Sequence, residues 1–127
     1  MEVLCVAFLG ALVYRNRDLV PVLHEQLDGN YGEFLPHCLM SDIARWFEQR
    51  FERSGPGDES MQRVLAMLKE GFSEGGEVAN LISVSFLEML PPPEGAWVEL
   101  RRMIRGPLRT QLLLIDRALH HYVPESS

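Results

Sequence analysis

The chain has 127 residues, which suits one domain, and 46% of them are hydrophobic, which is enough for a core. Its formal net charge of -6 excludes a general nucleic-acid binder, because affinity for phosphates requires clustered Lys and Arg. The same charge permits a basic protein partner, and it is also common among ordinary cytosolic proteins. Two cysteines, Cys5 and Cys38, both in apolar sequence, are too few for a disulfide framework and indicate a reducing, cytoplasmic compartment.

The N-terminal segment, residues 1–17, is dominated by an unbroken apolar run over residues 3–14. This run is too short to span a membrane, for which about 20 apolar residues are needed. Arg15 and Arg17 follow the run, and this order of charges does not fit a signal peptide. We therefore expect a buried first helix or strand, and no membrane partner.

Apolar residues at steps of three and four predict the later helices. After the N-terminal run, a short helix is predicted to begin with Asp18 as its N-cap and to end at Gly29, and another helix is predicted to begin after Asp58. Between them, the periodicity and Pro36 predict a long helix over residues 36–53. The remaining helices are predicted over residues 77–90, 97–105 and 107–122.

The fold class predicted by these elements is all-α, with five or six short helices packed as an antiparallel bundle or a short helical-repeat-like stack. We expect residues 1–127 to form a single helical domain with a frayed tail at 123–127. The inner face of the last helix is predicted from four apolar residues: Leu108, Leu112, Ile115 and Leu119. Leu113 and Leu114 widen that face and are typical of a central helix or an interface.

The segment 30–37 places Tyr31, Glu33 and His37 in and beside one predicted loop. Loops on rigid scaffolds often carry binding residues, so all three are candidate partner-binding residues. The alternative is structural: the Tyr31 and Phe34 rings pack, Glu33 caps the next helix, and His37 is a first-turn surface residue.

Three further candidates are Asp42, Arg45 and Glu88. Arg45 shares a helical face with His37, and Asp42 lies beside them. A His–Asp pair is able to carry out acid–base chemistry, but no partner nucleophile is specified. Glu88 stands in an apolar stretch, where it is either exposed or buried against a partner such as an Arg.

Metal ligands and cofactor motifs are not predicted. The pairs His37–Cys38 and His120–His121 are adjacent in sequence, so their side chains diverge on a helix and do not converge on zinc. We expect no cofactor. One basic cluster is formed by Arg101, Arg102, Arg105 and Arg109. As a helical stripe it would meet an acidic partner or phosphates, or it would lie solvated and pair with Glu94 or Glu99.

A resemblance accompanies these observations. The stretches 30–37, 40–42 with 45–46, and 82–88 resemble a family of small, uncharacterised bacterial all-helical proteins, over roughly residues 18–115. Some members look like immunity proteins, which bind and block a cognate toxin. The resemblance implies a protein partner and no enzymatic activity.

Three functions are therefore compared. The first is a protein-binding module, an immunity-type protein that binds a basic toxin with carboxylates such as Glu33, Asp42 and Glu88. The second is a small ligand-binding or hydrolase-like domain using His37, Asp42 and Glu88, which requires a pocket where they converge. The third is a helical homodimer formed through the apolar N-terminal run or the 112–114 face.

Overall fold

The computed structural model describes residues 3–121, and every regular element in that part of the chain is helical. The predicted all-α class is confirmed, but there are seven α-helices where five or six were predicted. The helices have these bounds: α1 Val3–Arg15, α2 Val20–Gly29, α3 Pro36–Ser54, α4 Glu59–Ser73, α5 Gly76–Ile82, α6 Trp97–Met103 and α7 Pro107–His120. The predicted tail at 123–127 and the helix end at Tyr122 lie outside the described residues.

The apolar N-terminal run forms α1, so the helical interpretation of that run is correct. One side of α1 is in the core, where Cys5, Leu9 and Leu12 are fully buried. The other side is open, with Val3 and Tyr14 exposed. Within residues 3–121, no helix is both long and apolar enough to cross a bilayer.

The core is organised around α3, the longest helix, which packs against α1, α2, α4 and α5. The periodic apolar residues that predict this helix supply its inner face, and Leu39, Ile43 and Phe47 have no solvent exposure. The Phe47 ring meets Phe86 edge to face, with centroids 5.4 Å apart. Such pairs stabilise a core by about 1 kcal/mol beyond their burial.

The predicted helix 77–90 is divided in two. The α-helix ends at Ile82, and Ser83–Leu87 continues as a π-helical segment. The Glu88 amide donates to the Ser83 carbonyl at 3.0 Å, the five-residue step that characterises a π-helix. Two tertiary hydrogen bonds hold this segment: the Ser83 hydroxyl accepts one from Gln111 of α7, and the hydroxyl of the second serine is bonded to α3.

A buried ion pair joins α6 to α7. Arg101 donates from Nε and Nη2 to the two carboxylate oxygens of Asp116, both at 2.8 Å, and from Nη1 to the Pro91 carbonyl at 2.6 Å. The two side chains are 6% and 1% exposed. The predicted solvated pairing of the arginine cluster with Glu99 is found for Arg102, whereas Arg101 is buried and does not belong to a solvated face.

Two local predictions are wrong, and one cysteine is exposed although the sequence around it is largely apolar. Asp18 is not the N-cap of α2; it accepts a hydrogen bond from Ser60 of α4, and a 3₁₀ turn at Arg17–Leu19 precedes the helix. Leu119 does not face the core, because it is 52% exposed near the end of α7. Cys38 is exposed, since it lies on the outer side of the first turn of α3.

Candidate functional site

The connection between α2 and α3 is a tight turn closed by hydrogen bonds. The Gly32 amide donates to the Leu27 carbonyl at 2.7 Å, and the Glu33 amide donates to the Asn30 carbonyl at 3.0 Å. Two side chains brace the turn: Asn30 donates to the Gln26 carbonyl at 2.7 Å, and Gln26 donates to the Glu33 carbonyl at 3.0 Å. The turn is therefore a defined structure, of the kind that ends helices with a left-handed residue.

Tyr31 occupies the left-handed position of this turn, with a φ of 55°. Glycine normally stands there, because a Cβ in this conformation costs about 1 kcal/mol. The Tyr31 ring has 103% relative exposure, which means that it makes no packing contact able to offset that strain. The alternative that the Tyr31 ring packs into the fold is therefore wrong.

Glu33 and His37 have different surroundings. Glu33 is exposed and does not cap α3, because Leu35 occupies the N-cap position without a side-chain hydrogen bond. His37 is partly buried, and its Nδ1 forms a hydrogen bond of 2.5 Å with the Ser85 hydroxyl. Ser85 is 4% exposed, so this bond ties the start of α3 to the π-helical segment.

Asp42 lines a surface groove of about 370 Å³ between α2 and α3. Glu25 of α2 and Arg45 of α3 line the same groove, and Arg45 lies 3.4 Å from the Asp42 carboxylate. Partial burial raises the pKa of Asp42; Arg45 opposes the increase, and the charge of Glu25 adds to it. The lining of the groove thus carries two carboxylates and one guanidinium, and its net negative charge favours binding of a further cation.

The six candidate residues are divided among these surroundings. Asp42 and Arg45 share the groove, while His37 bonds to Ser85. Glu88 follows the π-helical segment and is exposed to solvent. Of the two environments predicted for it, the exposed one is therefore correct. The arrangement offers a hydrogen-bonded aromatic turn and an acidic groove, both of which are suited to binding a macromolecule.

Two residues that sequence reasoning missed are Glu25 and Ser85. Glu25 acts on Asp42 only because α2 lies alongside α3, and no spacing rule connects residues on different helices. Ser85 lies in the stretch 82–88 that carries the resemblance, but no spacing rule connects it to His37, to which it is hydrogen-bonded in the structure.

Metal-binding geometry is not found in residues 3–121, where no three His, Cys, Asp or Glu side chains come together around a point. Compared with models of protein families, with curated proteins and with solved structures, the chain shows no significant match. Function is therefore inferred from the chemistry of the site itself.

Proposed function

We propose that the chain is a protein-binding module of the immunity type, which binds a basic toxin and neutralises it. The observation that carries the proposal is the fully exposed Tyr31 ring on a left-handed residue. We define the α2–α3 surface as Glu25, Tyr31, Glu33, Asp42 and Arg45, and we propose that it contacts the partner.

The Tyr31 position supports a binding role on energetic grounds. A strained backbone that brings the fold no packing in return points to selection for something other than stability. Tyrosine is among the residues that contribute most to protein interfaces, because its ring buries a large apolar area and its hydroxyl forms a hydrogen bond. The braced turn also fixes the backbone around Tyr31 before binding, which limits the backbone entropy lost in the complex.

The charge of the surface supports a basic partner. Glu25 and Asp42 share their groove, and Glu33 is exposed on the turn that joins α2 to α3. The pKa of Asp42 is raised chiefly by burial, and the charge of Glu25 adds to the increase, so a cation from the partner would stabilise both groove carboxylates. The net charge of -6 adds a long-range attraction that accelerates encounter with a basic protein.

The test begins with affinity purification of the tagged chain from its native host, followed by mass spectrometry of what it retains. The stoichiometric partner is then purified, and its affinity is measured against wild type and Tyr31→Asn. Asparagine tolerates the left-handed conformation, so this variant removes the ring and keeps the turn. We expect the affinity to fall by at least about tenfold, as for a central interface tyrosine.

The matched control is Tyr14→Ala on α1, which removes another exposed tyrosine, 78% exposed, outside the α2–α3 surface. This variant should bind like wild type. Equal affinities of Tyr31→Asn and wild type would place the interface elsewhere and contradict the proposed surface. A purification that retains no stoichiometric partner would contradict the binding function.

The immunity role requires a second readout. Expression of the partner alone should arrest growth of a host cell, and co-expression of the wild-type chain should restore it. Tyr31→Asn should restore growth less well than Tyr14→Ala at equal protein levels. A partner that is harmless when expressed alone would overturn the immunity role, even if it binds tightly.

A further inference from the structure

A second concave surface lies on another part of the molecule, between α4 and the α6–α7 connection. It is a groove of about 460 Å³ and shares no lining residue with the α2–α3 surface. Its apolar floor includes Leu65, Ile104 and Leu108, which are 8%, 1% and 1% exposed. We call it the cationic groove because of the side chains that surround this floor.

Three cations line the cationic groove: Lys69 from α4, Arg102 from α6 and Arg105 from the α6–α7 connection. Arg102 is paired with Glu99, the one carboxylate of the lining. Lys69 and Arg105 form no ion pair with any residue of the described range 3–121. The lining is therefore net positive in a chain whose net charge is -6.

The position of Lys69 adds to this excess. A Cβ built on Gly106 would lie 3.2 Å from Cε and 3.6 Å from Nζ of Lys69, so the ammonium rests against the residue that precedes α7. The N-terminal end of a helix carries a partial positive charge. The helix end thus opposes the ammonium instead of neutralising it, and an anion in the groove would stabilise both.

We propose that the cationic groove binds a small organic anion with an apolar body, of the chemical class of medium-chain carboxylates. The apolar floor receives the chain, and the carboxylate pairs with Lys69 and Arg105. The volume lies within the range of small-molecule sites, and the combination of an apolar floor with a few polar groups is typical of them. This site is independent of the proposed partner interface.

The test is a titration of the ¹⁵N-labelled wild-type chain with sodium decanoate, followed by two-dimensional NMR. Saturable shifts are expected at Leu65, Ile104 and Leu108. Decanol, which has the same chain without the charge, should bind at least about tenfold more weakly, because it forms no ion pair. This comparison uses the unmodified protein.

A double variant, Lys69→Gln with Arg105→Gln, should weaken decanoate by about tenfold and leave decanol unchanged. The matched control is Arg53→Gln with Arg117→Gln, which removes two exposed cations outside the groove and should bind decanoate like wild type. Equal affinities for decanoate and decanol, or an equal effect of the two double variants, would overturn the proposal. So would NMR shifts confined to residues outside the groove, or shifts that do not saturate at millimolar decanoate.

Discussion

Tyr31 combines an unfavourable backbone with an exposed ring, and neither property contributes to the fold. Its φ of 55° is adopted without any packing of the ring, while Gly32 beside it also has a positive φ of 82°. The sequence places Tyr31 correctly in a loop beside α3. Its conformation was not predictable, because it depends on the hydrogen bonds that Gln26 and Asn30 make to the turn.

The first prediction concerns stability at this residue. Tyr31→Gly should raise the free energy of unfolding by about 0.5 kcal/mol, because glycine relieves the left-handed strain, while the greater conformational freedom of glycine in the unfolded chain offsets part of that gain. Urea denaturation followed by circular dichroism measures this difference. The same variant should lose affinity for the proposed partner, so its effects on binding and on stability have opposite signs.

The neighbouring glycine supplies the matched comparison. Gly32→Ala places a Cβ at a φ of 82°, and it should lower the free energy of unfolding by about 1 kcal/mol. Open space surrounds that Cβ, so the loss reports backbone strain and not a clash. A loss of stability in Tyr31→Gly would show that the ring supports the native state, and the strain argument would then be wrong.

At the scale of elements, apolar spacing locates the helices but not their geometry. The predicted helix 36–53 agrees closely with α3, Pro36–Ser54, because its stripe is long and Gly55 follows it. The 77–90 prediction misses the π-helical segment Ser83–Leu87. Nothing local distinguishes an α from a π turn here, since the segment is held by hydrogen bonds from α3 and α7.

The second prediction compares the two serines of the π-helical segment. Ser85→Ala removes the hydrogen bond between a buried hydroxyl and His37, and it should lower the free energy of unfolding by about 1 kcal/mol. Ser83→Ala removes a bond to Gln111 at a partly exposed position, where water replaces the lost partner. Its cost should stay below about 0.5 kcal/mol.

Thermal and urea denaturation of both variants measure these costs. The substitution is the same in the two cases, and the sites are two residues apart in one segment. Equal costs for Ser83→Ala and Ser85→Ala would mean that burial of the His37 contact does not stabilise the segment, and the π-helical turn would then need another cause.

At the scale of the whole molecule, arginines that are close in sequence lie in different environments of the fold. The predicted stripe of arginines does not exist on one helix, because α6 ends at Met103 and the chain turns before α7. Arg101 is buried in an ion pair with Asp116, while Arg102 and Arg105 line the cationic groove. Sequence spacing predicts neighbours within a helix, so it fails wherever the helix ends.

Acid sensitivity also belongs to the whole molecule, since Asp58 joins two helices. Asp58 caps α4 by accepting from the Met61 amide at 3.0 Å, as predicted for the start of that helix, and it pairs with Arg50 of α3 at 2.9 Å. Burial pushes the pKa of Asp58 upward, but the hydrogen bonds from Arg50 and Met61 outweigh it, so the pKa lies below its usual value. The pKa of Asp42 is raised.

The third prediction is that these two carboxylates respond to acid with opposite signs. The lowered pKa of Asp58 stabilises the fold above the unfolded value of 3.8, and this stability is lost as the pH falls through the folded pKa. Asp58→Asn keeps the cap and loses the ion pair, so it should cost about 1 kcal/mol at neutral pH and less in acid.

Asp42→Asn should behave in the reverse manner. Its raised pKa means that the ionised carboxylate destabilises the fold above the folded pKa, and this penalty disappears as the pH falls toward the unfolded value of 3.8. The variant should therefore gain stability relative to wild type at about pH 7 and lose that gain near about pH 3. Urea denaturation of wild type and both variants at the two pH values measures the effect. If Asp42→Asn is less stable than wild type at neutral pH, the pairing of Asp42 with Arg45 outweighs desolvation and repulsion by Glu25. The ionised Asp42 would then gain little from a cation of the partner, and the charge argument for this groove would be wrong.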